Sequence, residues 1–241
     1  MFPIGDENQP GHGLPFVTLT LIGINVAVFV LLQGLGADSP FTLGWSAIPF
    51  EVVNGVDLVR PSLIEIGGQE LLLDQAPGPS PIQFTLLSSM FMHAGLLHIA
   101  GNMLFLWIFG DNVEHRAGPV VFLVVYLVTG VIGSLAQIFS NVDSVIPTLG
   151  ASGAISGVLG AYLVLFPRNR VTVLLFRFPA QVPAIVAIGI WIVFQLISGF
   201  GATVEDSGGG GVAYLAHIGG FAAGLVAGFL LRALPEFSAR R

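Results

Sequence analysis

The chain has 241 residues, 54% of them hydrophobic and 9% charged, with a mean hydropathy of +0.88. Soluble domains carry about 25% charged residues, so the composition excludes an ordinary soluble globule and predicts an all-α, polytopic membrane protein with one domain over 1–241. The formal charge of −6 argues against nucleic acid as a partner, and the absence of Cys excludes disulfides, thiolate metal sites and thiol catalysis.

Residues 1–15 are polar, rich in Pro and Gly and free of Lys and Arg, unlike the basic start of a cleavable signal peptide. The first apolar run, about 15–35, is long enough to span a bilayer and is expected to be retained. A long loop follows over about 36–92. It holds Glu51, Asp57, Arg60, Glu65, Glu70 and Asp74, turn signals at Asn54-Gly55 and Gly67-Gly68, and apolar clusters such as Leu71-Leu72-Leu73. No part of it is expected to span, and its apolar patches predict that it lies partly in the interface. Five more apolar runs follow, at about 95–113, 119–140, 150–166, 181–200 and 212–232. The prediction is therefore six spanning helices. The fourth is short, which places its first residues below the membrane surface.

Arginine supplies the orientation. Lys is absent, and Arg116, Arg168, Arg170, Arg177, Arg232, Arg240 and Arg241 fall on the side that carries both termini, against Arg60 alone on the other. The positive-inside tendency makes that side cytoplasmic. The second, fourth and sixth runs then all travel from outside to inside. His98 and Asn102, Ser152, and His217 lie within about two turns of the starts of these three helices, so all are expected at one depth on the outer side.

Small residues give that convergence a packing basis. Gly220, Gly224 and Gly228 follow His217 on one face. Ser156 and Gly160 follow Ser152, and Gly153 and Gly157 add to the small-residue head of that helix. Such seams let membrane helices approach closely. If the two seams meet, Ser152 Oγ reaches an imidazole nitrogen of His217, the arrangement of an activated hydroxyl nucleophile. The helix start supplies the Ser152 backbone N–H, and His98 and Asn102 are candidate donors to a developing oxyanion. The chemistry implied is acyl transfer, read here as hydrolysis of a peptide bond, with a small transporter as the competing reading of a membrane-depth histidine.

Other readings of single residues are blander. Ser156 is expected to bond back to a carbonyl one turn earlier. His93 and His98 lack a third ligand at helical spacing, so no metal or cofactor is expected. His12 and His115 read as solvated, and Asp111 and Glu114 as structural. There is no His-Glu-x-x-His, no pair of membrane-depth aspartates, and Ala154 breaks a Gly-x-Ser-x-Gly elbow.

Three segments together, His98-Ile99-Ala100-Gly101-Asn102, Gly150-Ala151-Ser152-Gly153 and Ala216-His217-Ile218-Gly219-Gly220-Phe221-Ala222-Ala223-Gly224, resemble the rhomboid intramembrane serine proteases. The likeness extends through Met92-His93, Gly101 to Trp107, Gly110 to Glu114 and Gly118. It implies a six-helix rhomboid-like bundle with a Ser152–His217 dyad and no third acid, and an oxyanion site made by the Ser152 N–H, His98 and Asn102. It implies single-pass or polytopic membrane-protein substrates in a lipid bilayer, cut near the outer end of a helix. The protein is expected in a prokaryotic cell (inner) membrane with cytoplasmic termini. Helix 5 and the loop around Gly208–Gly211 would move to admit substrate and water. The alternative on the same fold is a non-catalytic binder of membrane clients. Two departures stand out. Ser156 occupies a position where many relatives have Tyr packed on the histidine, and Trp45 is followed by Ser46 where some have Arg.

Overall fold

The computed structural model describes residues 2–7, 13–66, 68–204 and 212–235. The strand β1 (Phe2–Asp6) precedes α1 (Phe16–Ala27), which runs on into one π-helical stretch at Val28–Leu32. The first loop is ordered into α2 (Pro40–Trp45), α3 (Pro49–Asn54), a hairpin of β2 (Ser62–Ile66) and β3 (Gln69–Leu73), and the short α4 (Thr85–Ser88) flanked by 3₁₀ turns. The main helices are α5 (Leu96–Ala117), α6 (Pro119–Ile138), α7 (Ser152–Leu165), α8 (Ala184–Val204) and α9 (Tyr214–Ala233). Between α7 and α8 lies the hairpin of β4 (Arg170–Leu175) and β5 (Phe178–Pro183).

The chain is thus mostly helical, but the all-α expectation is corrected. β1, β4 and β5 form an antiparallel sheet in the order β1-β4-β5, with Phe2 opposite Leu174 and Arg170 opposite Pro183. Val171 and Val173 are buried on one face of β4 and alternate with more exposed neighbours, the period-2 pattern of a half-covered strand. Among the described residues three helices are long and apolar enough to cross a membrane: Leu96–Ala117, Pro119–Ile138 and Tyr214–Ala233. The helices Phe16–Leu32 and Ser152–Leu165, and the stretch Ala184–Gly199 of α8, are apolar but shorter.

α7 is the centre of the molecule. Every residue from Gly153 to Tyr162 is buried. It is short because Gly150 leads into it at φ +131° and Pro167, which cannot continue a helix, follows its last turn. α9 lies against it without room for side chains at the crossing. A Cβ on Gly220 would run into the carbonyl of Gly153, and one on Gly224 into that of Gly157. One on Gly160 would meet the Phe221 carbonyl, and one on Gly228 would come within 3.0 Å of Ala161. On its other side Gly157 receives Thr129 of α6.

The first loop is tied to this centre. Ala47 and Thr148 exchange backbone hydrogen bonds of 3.0 and 2.8 Å, so the segment leading into α7 pairs with the loop despite Ser46 in place of a basic residue. The Gln33 amide donates to the His93 carbonyl at 3.0 Å and accepts from the His93 N–H at 2.8 Å, which pins the end of α1 to the approach to α5.

Candidate active site

The first turns of α5, α7 and α9 meet at one end of the bundle. They bring Ser152, the first residue of α7, to His217 in the first turn of α9. Ser152 Oγ and His217 Nε2 are 2.7 Å apart. That contact needs the α7–α9 approach permitted by the facing glycines, since one added Cβ at Gly220 would push the helices apart. His217 is buried, and Ser152 keeps partial access.

His98, in the first turn of α5, stands beside the serine. The N–H of Ala94 donates to His98 Nδ1 at 3.2 Å. A neutral imidazole has one donor and one acceptor nitrogen, so the proton of neutral His98 sits on Nε2. Nε2 lies 3.1 Å from where a Cβ of Gly150 would be, and that point is 3.5 Å from Ser152 Oγ. Gly150 therefore serves twice: its positive φ suits glycine, and its missing side chain leaves the space that the His98 ring edge occupies. Asn102, one turn further along α5, is buried with no hydrogen-bond partner for its Nδ2. α7 has no side-chain cap, so the Ser152 backbone N–H is among the free donors of a helix start. The Ser152 backbone N–H and the His98 ring edge thus lie beside the hydroxyl, and Asn102 carries its unpartnered Nδ2 one turn further along α5.

Ser156 does not reach toward the histidine. Its Oγ donates to the Ser152 carbonyl at 2.6 Å, the one-turn back-bond expected of it. The residues that contact His217 from the far side are on α8 and were not singled out from sequence. Gln195 Oε1 lies 2.7 Å from His217 Nδ1, and the Trp191 ring lies 6.0 Å from the imidazole, centroid to centroid. The available signal was a lone amide within an apolar run, on the same stripe as Ala184, Ile188 and Trp191. His93 is fully buried against His98, ring centroids 5.1 Å apart, with both ring nitrogens unpartnered. Among the described residues no group of three or more potential ligands gathers to hold a metal. The loop around Gly208–Gly211 and His12 lie outside the described residues.

The opposite end of the molecule carries the structural polar groups. Glu114 accepts from the Val17 N–H at 2.9 Å, the Thr18 N–H at 2.7 Å and the Thr18 hydroxyl at 2.8 Å, capping α1 where Pro15 offers no side chain to do so. Arg116 donates to the carbonyls of Leu231, Leu234 and Pro235 at the end of α9. Asp6 of β1 accepts from the Tyr162 hydroxyl at 2.5 Å and from Asn112 Nδ2 at 2.8 Å. Burial pushes the Asp6 carboxyl up to about 6.

Fold and site together define a helical, integral membrane protein with a serine–imidazole pair below one of its ends. The comparisons with known proteins give the family. A Rhomboid domain model matches residues 82–234, and the chain belongs to the rhomboid family. The chain is 32% identical over 163 residues to Rhomboid protein 1, mitochondrial, of Saccharomyces cerevisiae, covering 66% of this chain and 45% of that protein. To the rhomboid protease GluP of Bacillus subtilis it is 31% identical, covering 95% of this chain and 37% of that one. To RHOMBOID-like protein 6, mitochondrial, of Arabidopsis thaliana the identity is 29%, covering 92% and 70%. The chain spans less than half the length of the first two of these relatives. Family membership supports membrane proteolysis at the level of the family. Relatives from mitochondria stand beside a bacterial one, so the expectation of a prokaryotic inner membrane gains no support from them.

Proposed function

We propose that this protein is an intramembrane serine endopeptidase that cuts other membrane proteins in or near their transmembrane helices. The reading is supported above all by the 2.7 Å contact between Ser152 Oγ and His217 Nε2, with the Ser152 N–H and His98 beside it and the unpartnered Asn102 Nδ2 one turn further along α5. Ser152 Oγ attacks the scissile carbonyl carbon and His217 Nε2 takes the hydroxyl proton. The carbonyl oxygen becomes an oxyanion facing the three donors. As the C–N bond breaks, His217 returns the proton to the leaving amine. Water then repeats the sequence on the acyl-serine and frees the acid. His217 must be neutral to accept the first proton, so cleavage falls as pH drops through its pKa.

The shorter helices Phe16–Leu32, Ser152–Leu165 and α8 complete a six-helix crossing together with the three long ones. The Arg-rich helix ends face the cytoplasm and the site opens to the other side. α7 begins below that surface, where a substrate helix has its end. The test is cleavage of a model single-pass substrate by purified protein in detergent, with Ser152→Ala as the paired variant. Cleavage that depends on Ser152 supports the assignment; cleavage persisting in Ser152→Ala removes it. Failure of a serine-reactive fluorophosphonate to label Ser152 in folded protein points instead to a non-catalytic client binder.

A further inference from the structure

We propose that Gln195 is a positioning residue for His217: its side-chain carbonyl keeps the imidazole proton on Nδ1 and so leaves Nε2 as the acceptor facing Ser152. The proposal rests on the protease reading above. The two ring nitrogens of His217 have one partner each, Gln195 Oε1 at 2.7 Å and Ser152 Oγ at 2.7 Å. A carbonyl oxygen only accepts, so the nitrogen opposite it carries the hydrogen. A neutral imidazole has one hydrogen to place, and with it on Nδ1 the lone pair falls on Nε2, where the serine proton must go. The reverse tautomer would leave Ser152 as acceptor and the base disarmed.

The placement of Gln195 in the chain argues for the same role. α8 turns Ala184, Ile188, Trp191 and Gln195 inward, at the 4-3-4 spacing of one helical stripe, with Ala184, Ile188 and Gln195 each buried. The residues around that stripe, Ile185, Val186, Ile190, Val193, Phe194 and Ile197, are exposed hydrophobics. Packing alone would be served by one more apolar side chain. An amide buried at membrane depth is expensive unless it has a hydrogen-bonding task, and Gln195 Oε1 lies at hydrogen-bond distance from the histidine.

Among the described residues no other neighbour fixes the tautomer. Ser156 spends its hydroxyl on the Ser152 carbonyl. Trp191 and Tyr214 touch the imidazole through their rings, at 6.0 and 6.4 Å between centroids, which restrains the ring plane but not the proton. The titratable groups facing His217 among the described residues are His98 from α5 and Tyr214 from α9; α7 contributes Ser152 and α8 the neutral Gln195 and Trp191. The base is therefore set from α8, a helix outside the close-packed α7–α9 pair.

Two measurements test this. In wild-type protein with ring-¹⁵N-labelled histidine, held in micelles, the His217 resonances should show a protonated Nδ1 and an unprotonated Nε2; a proton on Nε2 overturns the proposal, whatever the variants do. In substrate cleavage, Gln195→Met should lower kcat roughly 10- to 100-fold with little change in KM, less than the 100- to 10,000-fold typical of losing a general base outright. Gln195→Glu should restore much of the rate and move the acid limb of the pH profile upward, because a carboxylate facing Nδ1–H favours the imidazolium. A merely structural amide would leave that limb where it was. Wild-type kcat in Gln195→Met with an unmoved limb in Gln195→Glu also overturns the proposal. Should the variants fail to fold, the wild-type spectrum still decides. Cleavage surviving in Ser152→Ala would instead sink the protease reading, and the tautomer can be read independently of it.

Discussion

The two ends of the helix bundle treat buried polar groups in opposite ways. At the end where α5, α7 and α9 begin, Asn102 Nδ2 has no partner, both nitrogens of His93 are unpaired, and the start of α7 has no side-chain cap. At the end where α5 and α9 finish, Glu114 accepts three hydrogen bonds, Arg116 closes on three carbonyls and Asp6 accepts two. Most buried polar groups in folded proteins are paired, and an unpaired donor costs about 1–3 kcal/mol. The lower end follows the rule because its polar groups hold helices together. The end that holds Ser152 departs from it, and under the proposed protease reading a substrate carbonyl turning into an oxyanion would supply the partner that Asn102 Nδ2 lacks. An unpaired donor that waits for charge needs no reorganisation when the charge arrives.

Removing the waiting donor gives the largest contrast. Asn102→Ala should lower kcat on a transmembrane substrate about 100- to 1000-fold. Its thermal midpoint should stay at or above that of wild type, because Nδ2 has no bond to lose. Paired measurement of cleavage and unfolding checks both halves. A wild-type rate, or a clear loss of stability, would break the division between the two ends.

Glu114→Ala should do the reverse. It strips three hydrogen bonds from the start of α1 and leaves two buried donors unmet, a loss on the order of 3 kcal/mol. Cleavage per folded molecule should remain near wild type at a temperature where the variant is folded. Denaturation followed alongside serine-probe labelling separates the two quantities. A rate defect in fully folded Glu114→Ala protein would show that the lower end also shapes the site.

Much of this division is legible in the sequence. His98, Asn102, Ser152 and His217 all sit near the starts of helices that run the same way, and span counting alone puts such starts at one depth. Small residues at helical spacing announce a close α7–α9 crossing, but the stripe expected to face α9 is Ser152, Ser156 and Gly160, whereas the structure turns Gly153 and Gly157 onto Gly220 and Gly224. Two kinds of feature stay hidden. The role of Gln195 depends on how α8 is rotated, and an apolar run such as 184–199 fixes no face until its neighbours are known. The sheet joins β1 to β4, with Asp6 opposite Val171; strand pairing at that separation has no local signature, and each strand alone reads as loop. The Asp6–Tyr162 bond is equally non-local.

The smallest effect concerns an acid that belongs to neither pattern. Glu51, in α3 of the first loop, is buried, and its Oε1 accepts from the Leu58 N–H at 2.7 Å. Burial pushes its carboxyl from an ordinary 4.5 up to about 7. A raised folded pKa means that the fold prefers the protonated acid, so this group's contribution to stability is complete below about 4.5 and is lost as pH rises through about 7. Glu51→Gln keeps an acceptor for Leu58 and removes the ionisation. Its thermal midpoint should therefore gain on wild type between about pH 5 and 7 and hold a constant lead above that range. If Glu51 only anchors the loop, as the paired groups of the lower end anchor helices, the pH dependence of cleavage per folded molecule should be the same in both proteins. A changed cleavage profile would assign the first loop to the working end of the molecule, and a midpoint difference flat from pH 5 to 8 would show that Glu51 does not titrate as a buried acid.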